Sequence, residues 1–238
     1  PSGRWRGGLM AVDVGVCVQD MDKIGSFGIL AHEIGFTGIA VLGLMDEPFK
    51  HLTEGIIVYR RVNIVGKGVN SLRNQIERVR KNTPVIAIQV GSIDSTNWAV
   101  EDKRVDLLTL DPSKDHRLRE TTACLCSNSS IALEIQIAPL LNSSGLQRSK
   151  ILKTYREAVI TAVDAGMGVV LSSGATHLLG LRSPTAMVHI GMLLGIDRTL
   201  AERAVHELPT YIIERSLKRL NPKFVSPGVE IIKRRENP

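Results

Sequence analysis

Aromatic residues are scarce in this chain, and this limits how it could bind nucleic acid. Phe, Trp and Tyr make up 4% of its 238 residues. Stacking of bases on exposed rings is therefore not expected to be its main mode of recognition. The formal net charge of +6 permits a nucleic-acid partner without requiring one. Any such contact should be made mostly to phosphates, through Lys and Arg.

Cysteine and long hydrophobic runs are also lacking. Three cysteines, an odd number, argue against a disulfide framework and for a reducing compartment. Cys124 and Cys126 lie two apart, but no second Cys or His pair beside them has zinc-site spacing. No apolar run reaches the ~20 residues of a membrane span, and no signal-peptide pattern is present. We therefore expect a cytoplasmic protein with no membrane partner.

Recognisable catalytic motifs are absent as well. The sequence has no Walker A loop, no G-x-G-x-x-G at a strand–helix junction and no G-x-S-x-G elbow. Its first apolar strand contains Asp13 but no His-x-His pair, and its six histidines show no paired metal spacing. His189 falls on an apolar helix and is interpreted as a core residue. No catalytic residue, metal site or cofactor is therefore predicted in this chain, which favours a binding subunit over a self-sufficient enzyme.

What the sequence does contain is a regular alternation of strand and helix patterns. The strands are continuous apolar runs, which is typical of a parallel sheet covered by helices. This predicts an α/β, TIM-barrel-like (β/α) barrel as a single domain over residues 9–238, with an irregular final unit and a loose arm at 1–8. A doubly wound open sheet is the structural alternative. Predicted strands are 9–16, 37–42, 56–65, 84–90, 105–110, 131–137 and 168–171. Predicted helices are 22–34 (ending at Gly35), 70–81, 98–103, 114–127, 145–165, 184–194 and 200–220, the last broken at Pro209.

The stretch after the last strand has features of a phosphate site. The strand is followed by Ser172, Ser173 and Gly174, and a helix then opens at Ser183 and Pro184 with a hydroxyl N-cap and an N1 proline. Arg182 immediately precedes that cap. Free backbone N–H groups, a helix dipole and an arginine would meet there, which suits phosphate. An ordinary strand–loop–helix crossover is the alternative.

Basic residues cluster in and near two predicted helices. Leu72, Ile76 and Val79 should bury one face of helix 70–81, and 145–165 has a similar apolar stripe. The basic residues are then expected on the exposed faces, where they form a phosphate-binding surface or simply a solvated one. They are Arg60, Arg61, Lys67, Arg73, Arg78, Arg80, Lys81, Arg148, Lys150, Lys153 and Arg156, with Arg215, Lys218, Arg219, Lys223, Lys233, Arg234 and Arg235 near the C-terminus.

Four motifs, in order and spacing, resemble the archaeal ribonuclease P protein component 3 family, the counterpart of the eukaryotic thirty-kilodalton subunit. They are A-H-E-I-G-F-T-G-I-A-V (31–41), D-P-S-K-D-H (111–116), L-S-S-G-A followed by L-R-S-P (171–175 and 181–184), and G-V-E-I-I (228–232). The resemblance covers nearly the whole chain. One departure is that Ser113 and Lys114 occupy a turn in which the family commonly has a glycine.

The resemblance implies a barrel without the catalytic metals of related hydrolases, in a ribonucleoprotein that removes the 5′ leader of precursor tRNA. The RNA is then the catalyst and binds Mg²⁺, and the chain contacts precursor tRNA only indirectly. Its implied partners are the ribonuclease P RNA, a small α/β protein subunit, usually in a dimer of heterodimers, and other ribonuclease P proteins. It also implies RNA contacts at His116 and Arg182.

The combined prediction names two sets of residues. The RNA-binding set is Arg182, His116, Arg60, Arg61, Lys67, Arg73, Lys114, Arg148, Lys153 and Arg156, and the phosphate loop is Ser172, Ser173, Gly174 and Ser183. The competing hypothesis is a metal-dependent barrel phosphoesterase or amidohydrolase that gathers Asp13, Asp94, Asp111 and scattered histidines. A third is a barrel that binds a small phosphorylated ligand.

Overall fold

Parallel strands and helices alternate along the chain in a computed structural model. It describes residues 10–42, 45–52, 55–66, 68–114, 116–127, 129–221, 224–226 and 229–230. The strands are β1 (Val12–Val16), β2 (Gly38–Leu42), β3 (Phe49–His51), β4 (Ile57–Ile64), β5 (Val85–Gln89), β6 (Leu107–Thr109), β7 (Ala132–Gln136), β8 (Gly168–Ser172), β9 (Phe224–Ser226) and β10 (Val229–Glu230). The α-helices are α1 (Ile24–Glu33), α2 (Val69–Val79), α3 (Ile93–Glu101), α4 (Glu120–Ser127), α5 (Ala138–Leu141), α6 (Gly145–Asp164), α7 (Pro184–Leu193), α8 (Arg198–Glu202) and α9 (Leu208–Leu220).

The main sheet follows the chain without a reversal. Its order is β1-β2-β4-β5-β6-β7-β8, every step parallel, with the short β3 added antiparallel to β4. A doubly wound sheet would reverse its strand order at a switch point. The TIM-barrel-like prediction is therefore confirmed. β9 and β10 form a separate two-stranded antiparallel pair.

The barrel closes between β1 and β8 through isolated contacts. The Cys17 N–H donates to the Ala175 carbonyl at 2.8 Å. The Asp13 carboxylate at Oδ1 accepts the Ser173 N–H at 3.0 Å and the Gly15 N–H at 3.1 Å. At this seam the Asp13 side chain thus accepts backbone N–H groups that a neighbouring strand would accept elsewhere in the sheet.

Two apolar cores follow from the alternation of side chains along each strand. The larger core lies between the strands and the surrounding helices and includes Leu72, Ile76 and Tyr155. The smaller core fills the barrel interior, where α9 contributes Ile212 and Ile213 and packs against β1, β5 and β8. Helix α9 thereby plugs one end of the barrel.

Several predicted boundaries need correction. The helix predicted at 114–127 begins at Glu120, so residues 114 and 116–119 are loop, and the helix predicted at 98–103 starts at Ile93, capped by Ser92. The helix predicted to break at Pro209 runs from 198 to 220 through a π-helical segment, Arg203–Glu207. Pro209 lies in the first turn after that segment, where a missing N–H is tolerated.

Other local predictions hold. Gly35 ends α1 with a φ of 105°, and Leu72 and Ile76 are the buried residues of α2. Among the described helices, none combines the length and apolar character that a bilayer crossing requires. The predicted arm at 1–8 and most of the 228–232 motif lie outside the described residues.

Candidate nucleic-acid interface

Five of the ten predicted RNA-binding residues lie where the strands end. In a parallel barrel the segments that follow each strand meet on one face, which we term the carboxyl-end face. Lys114 and His116 follow β6, and Arg182 follows β8. Arg73 lies in the second turn of α2, after β4, and Arg148 lies in the first turn of α6, after β7.

These side chains are accessible, and several are already oriented by neighbours. Lys114 donates to Gln89 Oε1 at 3.1 Å, and the Arg73 guanidinium lies 5.8 Å from the centre of the Trp98 ring. The Arg148 Nε donates to the Ser143 carbonyl at 2.7 Å, and His116 is exposed. Lys153 and Arg156 are exposed further along α6. Lys67 lies outside the described residues.

Arg182 is half-buried and held by its own loop. Its Nη1 donates to the carbonyls of Leu179 and Leu181, each at 2.7 Å. Ser183 caps α7 as predicted, because its Oγ accepts the Ala186 N–H at 3.3 Å. The guanidinium is therefore positioned at the start of a helix, a place that favours anions.

The Ser-Ser-Gly loop requires a correction. Ser172 and Ser173 are 0% exposed, and Gly174 is buried. The Ser172 hydroxyl donates to Glu134 at 2.6 Å, and the Ser173 hydroxyl accepts the Ala175 N–H at 3.1 Å. Their small polar side chains close the β1–β8 seam, so they do not present a surface to an RNA phosphate.

Arg61 also requires a correction. Its side chain is 1% exposed and points into the barrel, whereas the neighbouring Arg60 points outward and donates to the Asp46 carbonyl at 3.0 Å. Arg61 is paired with Glu134 on β7, which is 0% exposed. An arginine enclosed in this way is not placed to contact RNA.

The Arg61–Glu134 pair is fully hydrogen-bonded. Arg61 also donates to the Val14 carbonyl at 2.6 Å, and Thr109 donates its hydroxyl to Glu134 at 2.6 Å. Burial alone raises the pKa of Glu134, but the Arg61 charge and these hydrogen bonds bring it below its ordinary value. The pair is therefore ionised at neutral pH. It occupies the end of the barrel interior where barrel enzymes commonly place catalytic groups.

The acidic residues of the metal-enzyme hypothesis lie in separate places. Asp13 is in the β1–β8 seam, Asp94 is in the first turn of α3 and Asp111 follows β6. Within the described part of the chain, no three His, Cys, Asp or Glu side chains are grouped so that they could hold a metal ion. His189, interpreted as a core residue, is exposed instead.

A second charged cluster was missed by sequence reasoning. Asp106, which precedes β6, is 0% exposed and accepts Arg215 and Arg219 at 2.7 Å each and Arg80 at 3.5 Å. The sequence pattern assigns these three arginines to the outward basic surface, and that assignment is wrong. They come together at the opposite end of the barrel from Arg182, because β6 begins there.

The mouth of the barrel on the carboxyl-end face contains a depression of about 310 Å³. It opens between the ends of β4, β5, β6 and β7. Its lining side chains are mostly neutral and polar or proline. They include Asn63, Gln89, Thr109, Asp111, Pro112, Gln136 and Pro139.

Fold and site together define a class of protein: a (β/α) barrel that closes its own interior with an ion pair and carries exposed cations on its carboxyl-end face. Residues 10–221 match the family model of RNase P subunit p30, and the chain belongs to that family. The resemblance noted from the sequence is thus confirmed. The chain is a protein subunit of ribonuclease P, the endoribonuclease complex that processes the 5′ end of tRNA.

Individual relatives agree with this assignment. Ribonuclease P protein component 3 of Methanosarcina barkeri is 28% identical over 217 residues, which cover 89% of this chain and 90% of the relative. The Methanothermobacter thermautotrophicus protein of the same name is 26% identical over 181 residues, 74% of this chain and 71% of the relative. A chain from a cryo-EM structure of archaeal ribonuclease P with mature tRNA superposes with a TM-score of 0.79. That match is 22% identical, covers 94% of this chain and all of the other, and supports the fold.

Proposed function

We propose that this chain binds the ribonuclease P RNA through the carboxyl-end face of its barrel. By neutralising backbone phosphates it stabilises the folded RNA, which carries out 5′ leader removal with Mg²⁺ bound by the RNA itself. One observation carries this proposal. The carboxyl-end face presents accessible side chains of Lys114, His116, Arg148 and Arg182. In the barrel interior, by contrast, the charges of Arg61 and Glu134 are paired with each other.

Within the complex we propose the partners that the family resemblance implies. A small α/β ribonuclease P protein joins this chain as a heterodimer and then as a dimer of heterodimers, on a face other than the cationic one. Contact with precursor tRNA is indirect, and the assembly acts in the cytoplasm. Native mass spectrometry of the two co-purified proteins tests the stoichiometry, and a stable complex of any other composition would contradict it.

Reconstitution tests the RNA-binding proposal directly. The ribonuclease P RNA and its proteins are assembled with and without this chain, and precursor-tRNA cleavage is measured. We expect Arg182→Ala and His116→Ala to lower cleavage and RNA affinity with little loss of stability. Arg198→Ala is the matched control, because Arg198 is exposed but follows α7 at the other end of the barrel.

Salt dependence provides a second readout. The logarithm of RNA affinity should fall by about 0.7–0.9 per neutralised phosphate for each tenfold increase in salt. The Arg182→Ala variant should show a slope smaller by about one phosphate contact. Affinity that barely changes with salt would contradict an electrostatic interface, and unfolding of Arg182→Ala would make that residue structural.

A further inference from the structure

The depression at the barrel mouth has a chemistry different from that of the cations around it. Asn63 lies near the end of β4, and Gln89 and Gln136 are the last residues of β5 and β7. These three carboxamides project from strands that belong to the same barrel wall. At about 310 Å³, the space is at the lower end of the range of small-molecule sites.

Some of these amide groups have hydrogen-bonding capacity to spare. Asn63 Oδ1 accepts Arg61 Nε at 2.8 Å, which fixes the side chain and leaves its Nδ2 donor turned away from that bond. Within the described residues, neither this Nδ2 nor the Gln136 amide has a hydrogen-bond partner. Gln89, by contrast, is held between Asp111 at 2.9 Å and Lys114 at 3.1 Å. The mouth therefore offers the Asn63 amide, which Arg61 holds in place, and the Gln136 amide, unpaired among the described residues, beside the hydrogen-bonded Gln89.

The lining disfavours a phosphate inside the depression. Asp111 forms part of it, and although burial raises the pKa of this carboxyl, hydrogen bonds from Ser113 and Gln89 and the Lys114 charge hold it below its ordinary value. The carboxylate is thus negative at neutral pH and repels another anion. The cation Lys114 lies at the rim, where it donates to Gln89, and the exposed His116 follows it in the same segment after β6. The charge of the rim therefore favours phosphates, whereas the lining of the depression favours a neutral polar group.

We propose that the barrel mouth receives an unpaired nucleobase of the bound RNA. Amides present a donor and an acceptor side by side, and unpaired bases are read through hydrogen bonds to their edges. Asn63 and Gln136 contact the base edge, Pro112 and Pro139 provide apolar walls, and the flanking phosphates lie on the cationic rim. This inference rests on the proposed RNA-binding function and adds a preference for single-stranded RNA.

Four labelled or competing probes test the proposal on the full chain by fluorescence anisotropy. They are a mixed-sequence single-stranded RNA decamer, the same ribose–phosphate decamer without bases, the decamer annealed into a duplex, and free AMP. We expect the single strand to bind at least about tenfold more tightly than the abasic decamer, since a good edge contact provides a factor of this order. The duplex and AMP should bind more weakly than the single strand.

Two variants distinguish the contribution of the barrel mouth to RNA affinity from that of the cationic residues around it. Gln136→Met, which preserves length and shape, should reduce single-strand affinity toward the abasic level and leave duplex affinity and the unfolding midpoint unchanged. Arg182→Ala should weaken all three oligomers in parallel. Equal binding of single-stranded and abasic decamers, or no effect of Gln136→Met, would overturn the base pocket while leaving salt-dependent RNA binding intact. AMP binding as tight as that of the single strand would assign the mouth to a free nucleotide instead. No salt-sensitive binding to any oligomer would overturn the proposed function itself.

Discussion

The Arg61 guanidinium and the Glu134 carboxylate meet inside the barrel in a two-pronged ion pair. Arg61 Nη2 lies 2.6 Å from Glu134 Oε2, and Nη1 lies 2.5 Å from Oε1. The residues belong to β4 and β7, which β5 and β6 separate in the sheet. The pair therefore joins distant parts of the barrel wall. The Arg61 guanidinium thus occupies the carboxyl-terminal end of the barrel interior, where barrel enzymes commonly place their catalytic groups.

Removing either charge should leave its partner buried and uncompensated. We expect Arg61→Met and Glu134→Leu each to lower the free energy of unfolding by about 3–5 kcal/mol. The double variant Arg61→Met/Glu134→Leu should cost less than the sum of the two, because neither charge remains. Urea denaturation followed by circular dichroism measures all three values. Additive losses would show that the two charges do not interact.

An exposed ion pair serves as the control. Arg198 and Glu202 lie one helical turn apart on α8, and their side chains are 69% and 51% exposed. Alanine at either position should change stability by less than about 1 kcal/mol, because solvent screens the pair.

Gly15 should not tolerate a side chain, because it packs directly on this network. A Cβ there would lie 2.3 Å from Ser172 Oγ and 2.8 Å from Glu134 Oε1. We expect Gly15→Ala to destabilise the protein by about 1–3 kcal/mol, because the added methyl group would overpack a fully buried region.

Gly25→Ala is the matched control, since Gly25 lies in α1 and an added methyl group would meet nothing within 4 Å. It should raise stability by about 0.5–1 kcal/mol. Thermal denaturation compares the two, and equal midpoints would disprove the clash.

The order of elements was predictable because it depends on local patterns. Apolar runs, the glycine at Gly35 and the Ser183 cap act within a few residues, and all three behave as predicted. The cations after β6 and β8 were also identifiable, since segments after parallel strands meet on one face.

Pairing over long sequence distances was not predictable. Arg60 and Arg61 are adjacent and chemically equal, and only the alternation of side chains along β4 separates the half-buried Arg60, which points outward, from the fully buried Arg61. Ser173 meets Asp13 across 160 positions, and Arg219 meets Asp106 across 113. No local pattern identifies such partners, so sequence reasoning places the serines at a phosphate and the arginines on the surface.

Asp13 should make stability fall as the pH rises above about 4. Burial raises the pKa of this carboxyl above its ordinary value, against the opposing effect of hydrogen bonds from Ser173 and Gly15. Within the described residues, its Oδ2 atom has no hydrogen-bond partner. The folded state therefore binds the proton more tightly than the unfolded state, and ionisation costs stability between the two pKa values.

The Asp13→Asn variant isolates this effect, because it keeps an acceptor at the seam and removes the ionisation. The stability of the wild type relative to this variant should decrease as the pH rises from about 4 through the raised pKa, and should then stay constant. Urea midpoints at a series of pH values between about 4 and 8 measure the difference. A relative stability that increases with pH would show that the pKa of Asp13 is lowered instead.

Asp106 should contribute strongly to the stability of the fold, because three arginines are paired with its one carboxylate. Arg80, Arg215 and Arg219 are 14%, 14% and 22% exposed, so their mutual repulsion is only partly screened. Burial, together with the neighbouring arginines, holds the pKa values of Arg80 and Arg219 below their ordinary range. We expect Asp106→Asn to lower the free energy of unfolding by about 3–5 kcal/mol, as for a broken buried ion pair.

If repulsion between the arginines is the cause, Asp106→Asn/Arg219→Met should recover part of that loss, although Arg219→Met alone should destabilise. Chemical denaturation of the three variants decides the point, because a double variant as unstable as the sum of the single ones would show that repulsion between the arginines is not the cause.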